Sequence, residues 1–207
     1  MSTPLDTIEI LIRWLGAAGT AVTLAVILRG LARSLTRPHG RAVGRANQML
    51  RLPTYILISI GYFSLWYLLW KSIPISLSPA ARVVALVLGA LLLFPGLGLV
   101  LWGRLVLGKM YNVSSALGAQ LYADQKLITR GPFAVVRHPM YVRIIAATVG
   151  GLLIYRTWSL VFALTSFGLV TRARQEERAL AAEFGQQWTD YCQQVPGWIP
   201  HFWKRGG

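Results

Sequence analysis

Negative charge is what this sequence has least of. Only seven of its 207 residues are acidic, against 21 lysines and arginines, and 14% of the chain is charged in all. A soluble domain carries about a quarter charged residues, so an ordinary water-exposed globule is excluded. Cysteine is almost absent. Cys192 stands alone, which rules out an intrachain disulfide and a cysteine-based zinc site. The three histidines, His39, His138 and His201, are too far apart for metal-ligand spacing, and no metal is expected. A nucleotide-binding glycine loop is missing too. Gly96-Leu97-Gly98 with Gly103 lacks the third glycine at the required place and lies in an apolar run. The N-terminus has Asp6 and Glu9 where a signal peptide would have basic residues, and Arg13 interrupts its first apolar stretch, so a cleaved signal peptide is not expected.

What the chain has is long apolar runs, with 55% hydrophobic residues. Several approach the roughly 20 residues needed to cross a bilayer. The expected fold is all-α, a polytopic membrane helical bundle of about five transmembrane helices. The spans read Ile8–Ala32, Leu52–Trp70, Ala80–Leu107, Met140–Tyr155 and one beginning at Trp158. The last has no evident breaker before Gly185, so a single helix is predicted over Trp158–Phe184, leaving the membrane near Thr171. Pro95-Gly96 predicts a kink in the third span, and Gly96, Gly98 and Gly103 predict close helix packing.

The basic residues fix an orientation. Of the 21 lysines and arginines, 17 fall in the connection after span one, around the connection between spans three and four, or after span five. The other side receives Arg13, Lys71, Arg82 and Arg156. By the positive-inside rule the rich side is cytoplasmic, which places the N-terminus outside and the C-terminus inside. The net charge of +14 is thereby explained without nucleic acid as a partner.

This topology brings two polar segments to one membrane face. The first, Gln125–Tyr141, contains Gly131-Pro132, which breaks any helix, and Arg137-His138-Pro139. Pro139 suits the first residue of the following helix, so Arg137 and His138 would flank backbone N–H groups that favour an anion. The second is the tail. Arg172 and Glu176 lie four apart on one helix face, and four of the seven acidic residues (Glu176, Glu177, Glu183, Asp190) are in this region. Each feature has a plain structural reading. Basic and aromatic residues, including Trp198, Phe202 and Trp203, anchor helices at interfaces, and a solvated i,i+4 pair is worth only ~0.3–0.5 kcal/mol. The convergence of carboxylate, arginine, histidine and a Gly-Pro turn at one face points further.

Leu127-Ile-Thr-Arg-Gly-Pro-Phe133, Val136-Arg-His-Pro-Met-Tyr141, Glu176-Glu177, Phe184-Gly185, Tyr191 and Val195-Pro196 follow in order. Over about residues 110–200 the chain resembles the isoprenylcysteine carboxyl methyltransferase family and the related phospholipid N-methyltransferases. The Arg-His-Pro-x-Tyr element alone also recurs in sterol reductases. The resemblance implies an integral membrane enzyme that uses S-adenosyl-L-methionine. It implies helices one to three over 1–109 and a catalytic region over 110–207 with a cytoplasmic cofactor pocket. Carried over by position, Gln125, Lys126, Leu127, Ile128 and Phe133 would line that pocket. His138, Pro139, Met140 and Tyr141 would form another wall, and Glu176 would hold the cofactor from the last helix. Arg172 would face the acceptor, with Arg137 supporting the site. Two positions depart from the family pattern: Gln125 stands where histidine is frequent, and Arg143 where glycine is frequent. The second bears on the acceptor more than on the cofactor.

The implied acceptor is lipophilic, comes sideways from the bilayer, and offers a carboxylate for Arg172 to orient. A phospholipid or another lipophilic amine or thiol is the alternative, and for an amine His138 is the evident proton acceptor. A non-enzymatic transporter or scaffold is a third reading, against which charged residues sit at span ends rather than mid-membrane.

Overall fold

The computed structural model describes residues 3–34, 39–44, 52–111, 114–115, 118–166 and 168–200. Arg37, Arg45 and Arg51 of the first basic connection, and Phe202 and Trp203, lie outside the described residues. The chain is mostly helical. Its helices are α1 (Pro4–Ser34), α2 (Leu52–Leu68), α3 (Pro79–Leu107), α4 (Pro139–Tyr155), α5 (Trp158–Ser166), α6 (Leu169–Phe184) and α7 (Gln186–Gln194). The starts follow local chemistry. Ser78 caps α3 by accepting the Ala81 N–H at 3.3 Å, with Pro79 in its first turn. Pro139 opens α4, as its fixed φ and missing N–H favour.

α1 (over Pro4–Gly30) and α3 (continuing to Met110) are long and apolar enough to cross a membrane, while Ile56–Leu68 of α2 and α4 are shorter apolar helices. Large apolar side chains on these helices point outward, among them Trp14, Leu57, Leu91 and Leu105. A bilayer covers such faces and water does not.

The most extensive packing is between α3 and α4. Gly89, Gly96 and Gly103 recur every seven residues along α3 and meet Gly150, Ala147 and Met140 of α4. A Cβ at Gly96 would lie 2.9 Å from that of Ala147, and one at Gly89 would lie 2.9 Å from the Gly150 carbonyl oxygen. Small residues therefore let the two backbones touch. Gly98, expected to share this role, faces open space. α3 remains one helix through Pro95. Leu86, Leu93, Ala147 and Ile154 form the buried core of this pair.

One end of the bundle is closed by a charge cluster. Glu9, only 4% exposed, is 2.6 Å from Arg13, 2.6 Å from Arg82 and 2.5 Å from Arg156. Asp6 adds a 2.8 Å contact to Arg82. The starts of α1 and α3 and the end of α4 therefore share one end, and the start of α4 lies at the other. Three of the four basic residues assigned to the sparse side meet here.

Two expectations change. The helix predicted over Trp158–Phe184 is two helices, because Gly168 adopts φ +50° and caps α6 from the left-handed region. The connections also form a small antiparallel sheet, ordered β1-β3-β2, from β1 (His39–Gly44), β2 (Ser114–Ser115) and β3 (Gly118–Tyr122). Val43 pairs with Ala119, and Ser114 faces Ala119 from the other edge. α6 covers this sheet through Ala179 and Leu180 on Ala119 and Leu121.

Candidate active site

The turn at Gly131 (φ +63°) and the single 3-10 turn Gly131–Ala134 deliver the chain to His138, the residue that caps α4. No side chain caps that helix start. α6 runs past it, carrying Arg172, Glu176 and Glu177. The adjacent carboxylates divide between different partners. Glu176 accepts a hydrogen bond from the Tyr141 hydroxyl, and its oxygen is 3.9 Å from Arg172 Nε. Glu177 Oε1 lies 2.9 Å from His138 Nε2 and 3.3 Å from Arg137 Nη2. The hydrogen bond from His138, with Arg137 adding to it, outweighs burial and holds the Glu177 carboxyl below the usual carboxylate range.

The tail returns over this cluster as an extended strap. Arg137 N–H donates to the Pro196 carbonyl at 2.8 Å and His138 N–H to the Gly197 carbonyl at 3.0 Å. Trp198 then lies over the site, its ring centroid 5.3 Å from that of His138 and 6.3 Å from that of Tyr141. The His138 and Tyr141 rings stack at 5.7 Å and 15°. The strap is anchored from below. Trp188, Tyr191 and Val195 form a buried cluster with Leu127 against it. The Tyr191 hydroxyl donates to the Phe133 carbonyl at 2.6 Å; burial pushes its phenol up to about 12. Arg137 also sits 5.7 Å over the Trp188 ring.

Arg137, His138, Tyr141, Arg172 and Glu176 are thus brought together. The other expected pocket residues are spread around them. Leu127 and Phe133 brace the tail, and Ile128 is half-buried. Pro139 is buried as the first residue of α4, and Met140 packs on Gly103. Gln125 and Lys126 turn toward the end of α3, where Gln125 Nε2 donates to the Met110 carbonyl at 3.4 Å and Lys126 N–H meets the Met110 sulfur at 3.3 Å. Arg143 is exposed. Glu177 and Trp198 carry direct contacts that the sequence reading did not assign to the site. The Glu-Glu pair was visible, but which member faces His138 depends on how α6 is rotated.

On the other side of Arg172 lies an apolar cavity of about 880 Å³ between α1 and α2. Leu24, Ile27 and Leu28 line it from α1, and Ile56, Ile60 and Phe63 from α2, with Tyr111 and Arg172 supplying polar groups. The Arg172 guanidinium also lies 5.8 Å over the Tyr141 ring. One arginine therefore joins the greasy cavity to the polar cluster. Four buried side-chain atoms have no hydrogen-bond partner among the described residues, Arg13 Nε, Arg104 Nε, Arg137 Nε and Gln175 Oε1, and of these Arg137 belongs to this cluster. The open Arg137 Nε–H is a donor that suits an anionic group. No group of three or more His, Cys, Asp or Glu that could hold a metal occurs among the described residues.

Among solved structures, the chain is similar to the eukaryotic intramembrane Ras methyltransferase, isoprenylcysteine carboxyl methyltransferase, with 24% identity and a TM-score of 0.48. That alignment covers 72% of this chain and 53% of that one, so the chain spans about half that structure's length. No curated protein matches the chain. The phospholipid methyltransferase family profile matches residues 84–187, half of the sequence, from α3 through the Glu176-Glu177 pair into α7. The chain belongs to the phospholipid methyltransferase family.

Proposed function

We propose that this protein is a membrane enzyme that moves a methyl group from S-adenosylmethionine to a lipophilic acceptor, most naturally one that presents a carboxylate. The observation that carries this reading is the position of Arg172, which lines the apolar cavity and also touches the Tyr141–Glu176 pair. A lipid tail lying in the cavity would place its polar head at Arg172, and a planar guanidinium matches a carboxylate at two points.

The residues on the polar side fit the cofactor's amino-acid end. Arg137, with its open Nε, and the uncapped start of α4 suit its carboxylate, and Glu176 suits its ammonium. When bound, S-adenosylmethionine supplies an electrophilic methyl group on a sulfonium. The protein's own share is to hold that group and the acceptor in line and to exclude water. The Trp198 strap covers the polar side, and the apolar cavity walls shield the other. A carboxylate needs no base before it attacks, so positioning accounts for most of the expected acceleration.

The basic-residue asymmetry supports a five-span topology with this site at the cytoplasmic face. Calorimetric titration of the purified protein with S-adenosylhomocysteine tests the reading first. Saturable binding, followed by labelled methyl transfer into a lipid extract, is expected. A protein that binds no cofactor analogue would be a scaffold or transporter instead.

A further inference from the structure

We infer that the ends of α1 and α3 hold the phosphate of an anionic membrane lipid, kept as a bound component and not as a methyl acceptor. The site is built around Arg104, in the last turn of α3. Its guanidinium lies in the notch left by Gly30 on α1, where a Cβ would stand 2.1 Å from Nη2 and 2.7 Å from Cζ. The same group rests over the Tyr111 ring, 4.3 Å from its centroid. Tyr111 is itself fixed, because the buried Tyr122 of β3 donates its hydroxyl to the Tyr111 carbonyl at 2.7 Å. Two helices and the small sheet thus hold one half-buried cation in place.

That cation lacks an anion. A guanidinium has five N–H donors. Nη1 donates to the Gly108 carbonyl at 2.9 Å, while Nε is buried against Gly30 without a partner among the described residues. The ionisable groups near enough to act on Arg104 are Tyr111, Tyr122 and Arg33, and none is a carboxylate. Arg33 adds like charge, from three residues beyond Gly30 on the same face of α1. A helix C-terminus favours a cation in its last turn, which accounts for one arginine on each helix. It does not account for bringing two together where water is partly excluded, since like charges there repel. An anion shared by them removes that repulsion, and guanidinium groups match the oxygens of a phosphate.

The position selects a lipid as the source. Among the described residues, α1 and α3 are the two helices long and apolar enough to cross a bilayer, and both end here. Basic residues just beyond a spanning helix attract anionic headgroups. Trp102 and Leu105, beside Arg104 in α3, are exposed and offer acyl chains an apolar surface. Arg104 is not among the residues that line the apolar cavity, whereas Tyr111, on which it rests, is. A lipid held by Arg104 is therefore outside the place proposed for the acceptor.

The test is native mass spectrometry of the full-length protein in detergent, titrated with phosphatidylglycerol or with phosphatidylcholine of the same chains. The wild type should retain a single phosphatidylglycerol at least about tenfold more tightly than phosphatidylcholine. Arg104→Gln should weaken phosphatidylglycerol about tenfold or more. Arg33→Gln leaves Arg104 packed on Gly30 and Tyr111, and should weaken it about fivefold; it carries the test by itself if Arg104→Gln does not fold. Arg178→Gln, which removes an exposed arginine of α6, should leave the affinity unchanged. Equal affinity for the two lipids, or wild-type affinity in Arg104→Gln and Arg33→Gln, would overturn the site. A loss in Arg178→Gln as large as that in Arg33→Gln would reduce the preference to overall charge and overturn it as well. Inorganic phosphate that displaces phosphatidylglycerol at equal concentration would overturn the lipid in favour of a free phosphate.

Discussion

At the residue scale, the division of labour along α6 can be measured. Arg172 and Glu176 are near enough, at 3.9 Å, to be an ordinary i,i+4 pair. In that case either substitution would cost a few tenths of a kcal/mol and spare activity. If Glu176 grips the cofactor's ammonium in a partly dry pocket, Glu176→Gln should weaken binding of S-adenosylhomocysteine by about 1.5–3 kcal/mol, the worth of a charged hydrogen bond. Arg172→Ala should leave that affinity nearly intact and depress single-turnover methyl transfer, with Arg172→Lys a partial rescue because it lacks the planar fork. Small and equal effects would return the pair to the surface. Glu177 gives a separate signature. Its folded carboxyl titrates below its unfolded value, so the stabilisation it brings is full above the unfolded value and is lost as pH falls through the folded one. Thermal unfolding in detergent should show this acid-side loss in the wild type and a smaller one in Glu177→Gln; superimposable profiles would mean the contact to His138 adds nothing.

At the scale of elements, two glycines do opposite things on paper and should do so in a melt. A Cβ at Gly150 would sit 2.6 Å from both the Gly89 carbonyl and the Leu93 amide nitrogen, all backbone atoms that cannot rotate away. Gly150→Ala should cost about 1–3 kcal/mol by forcing α3 and α4 apart. Gly98, with nothing within 4 Å of its Cβ position, should accept alanine with no loss, or gain from helix propensity of up to about 1 kcal/mol. Melting temperatures in one detergent compare them directly, and equal shifts would contradict the packing. The sequence announced the glycine seam through its small-residue pattern but could not say which glycine faces α4. Helix rotation decides that. Gly168 went unread as a helix break for a related reason. A lone glycine in an apolar run is tolerated inside many helices, and only the turn from α5 into α6 brings out its positive φ.

For the molecule as a whole, orientation is the quantity to test. The Glu9 cluster and the His138 site lie at opposite ends of α4, and the proposed topology, drawn from the lopsided basic residues, has the His138 end in the cytoplasm. Single cysteines at Thr129 and Gln187 in a Cys192→Ser background should react with an impermeant thiol reagent only after cells are permeabilised. Labelling of either in intact cells would reverse or break the five-span arrangement.

The sequence by itself determined what depends on neighbours along the chain: the apolar runs, the start of α4 at Pro139, the break at Gly131-Pro132, and the segregation of charge to helix ends. These follow from propensity and hydropathy, which act within a few residues. The tertiary structure alone decided the assignments that span long separations. His138 and Glu177 are 39 residues apart, Tyr191 reaches the Phe133 carbonyl across 58, and Glu9 meets Arg156 across 147. The strap over His138, the small sheet under α6 and the cavity ending at Arg172 belong to the same class. Each depends on the rotation and register of packed helices, and those are set by side chains on a neighbouring element.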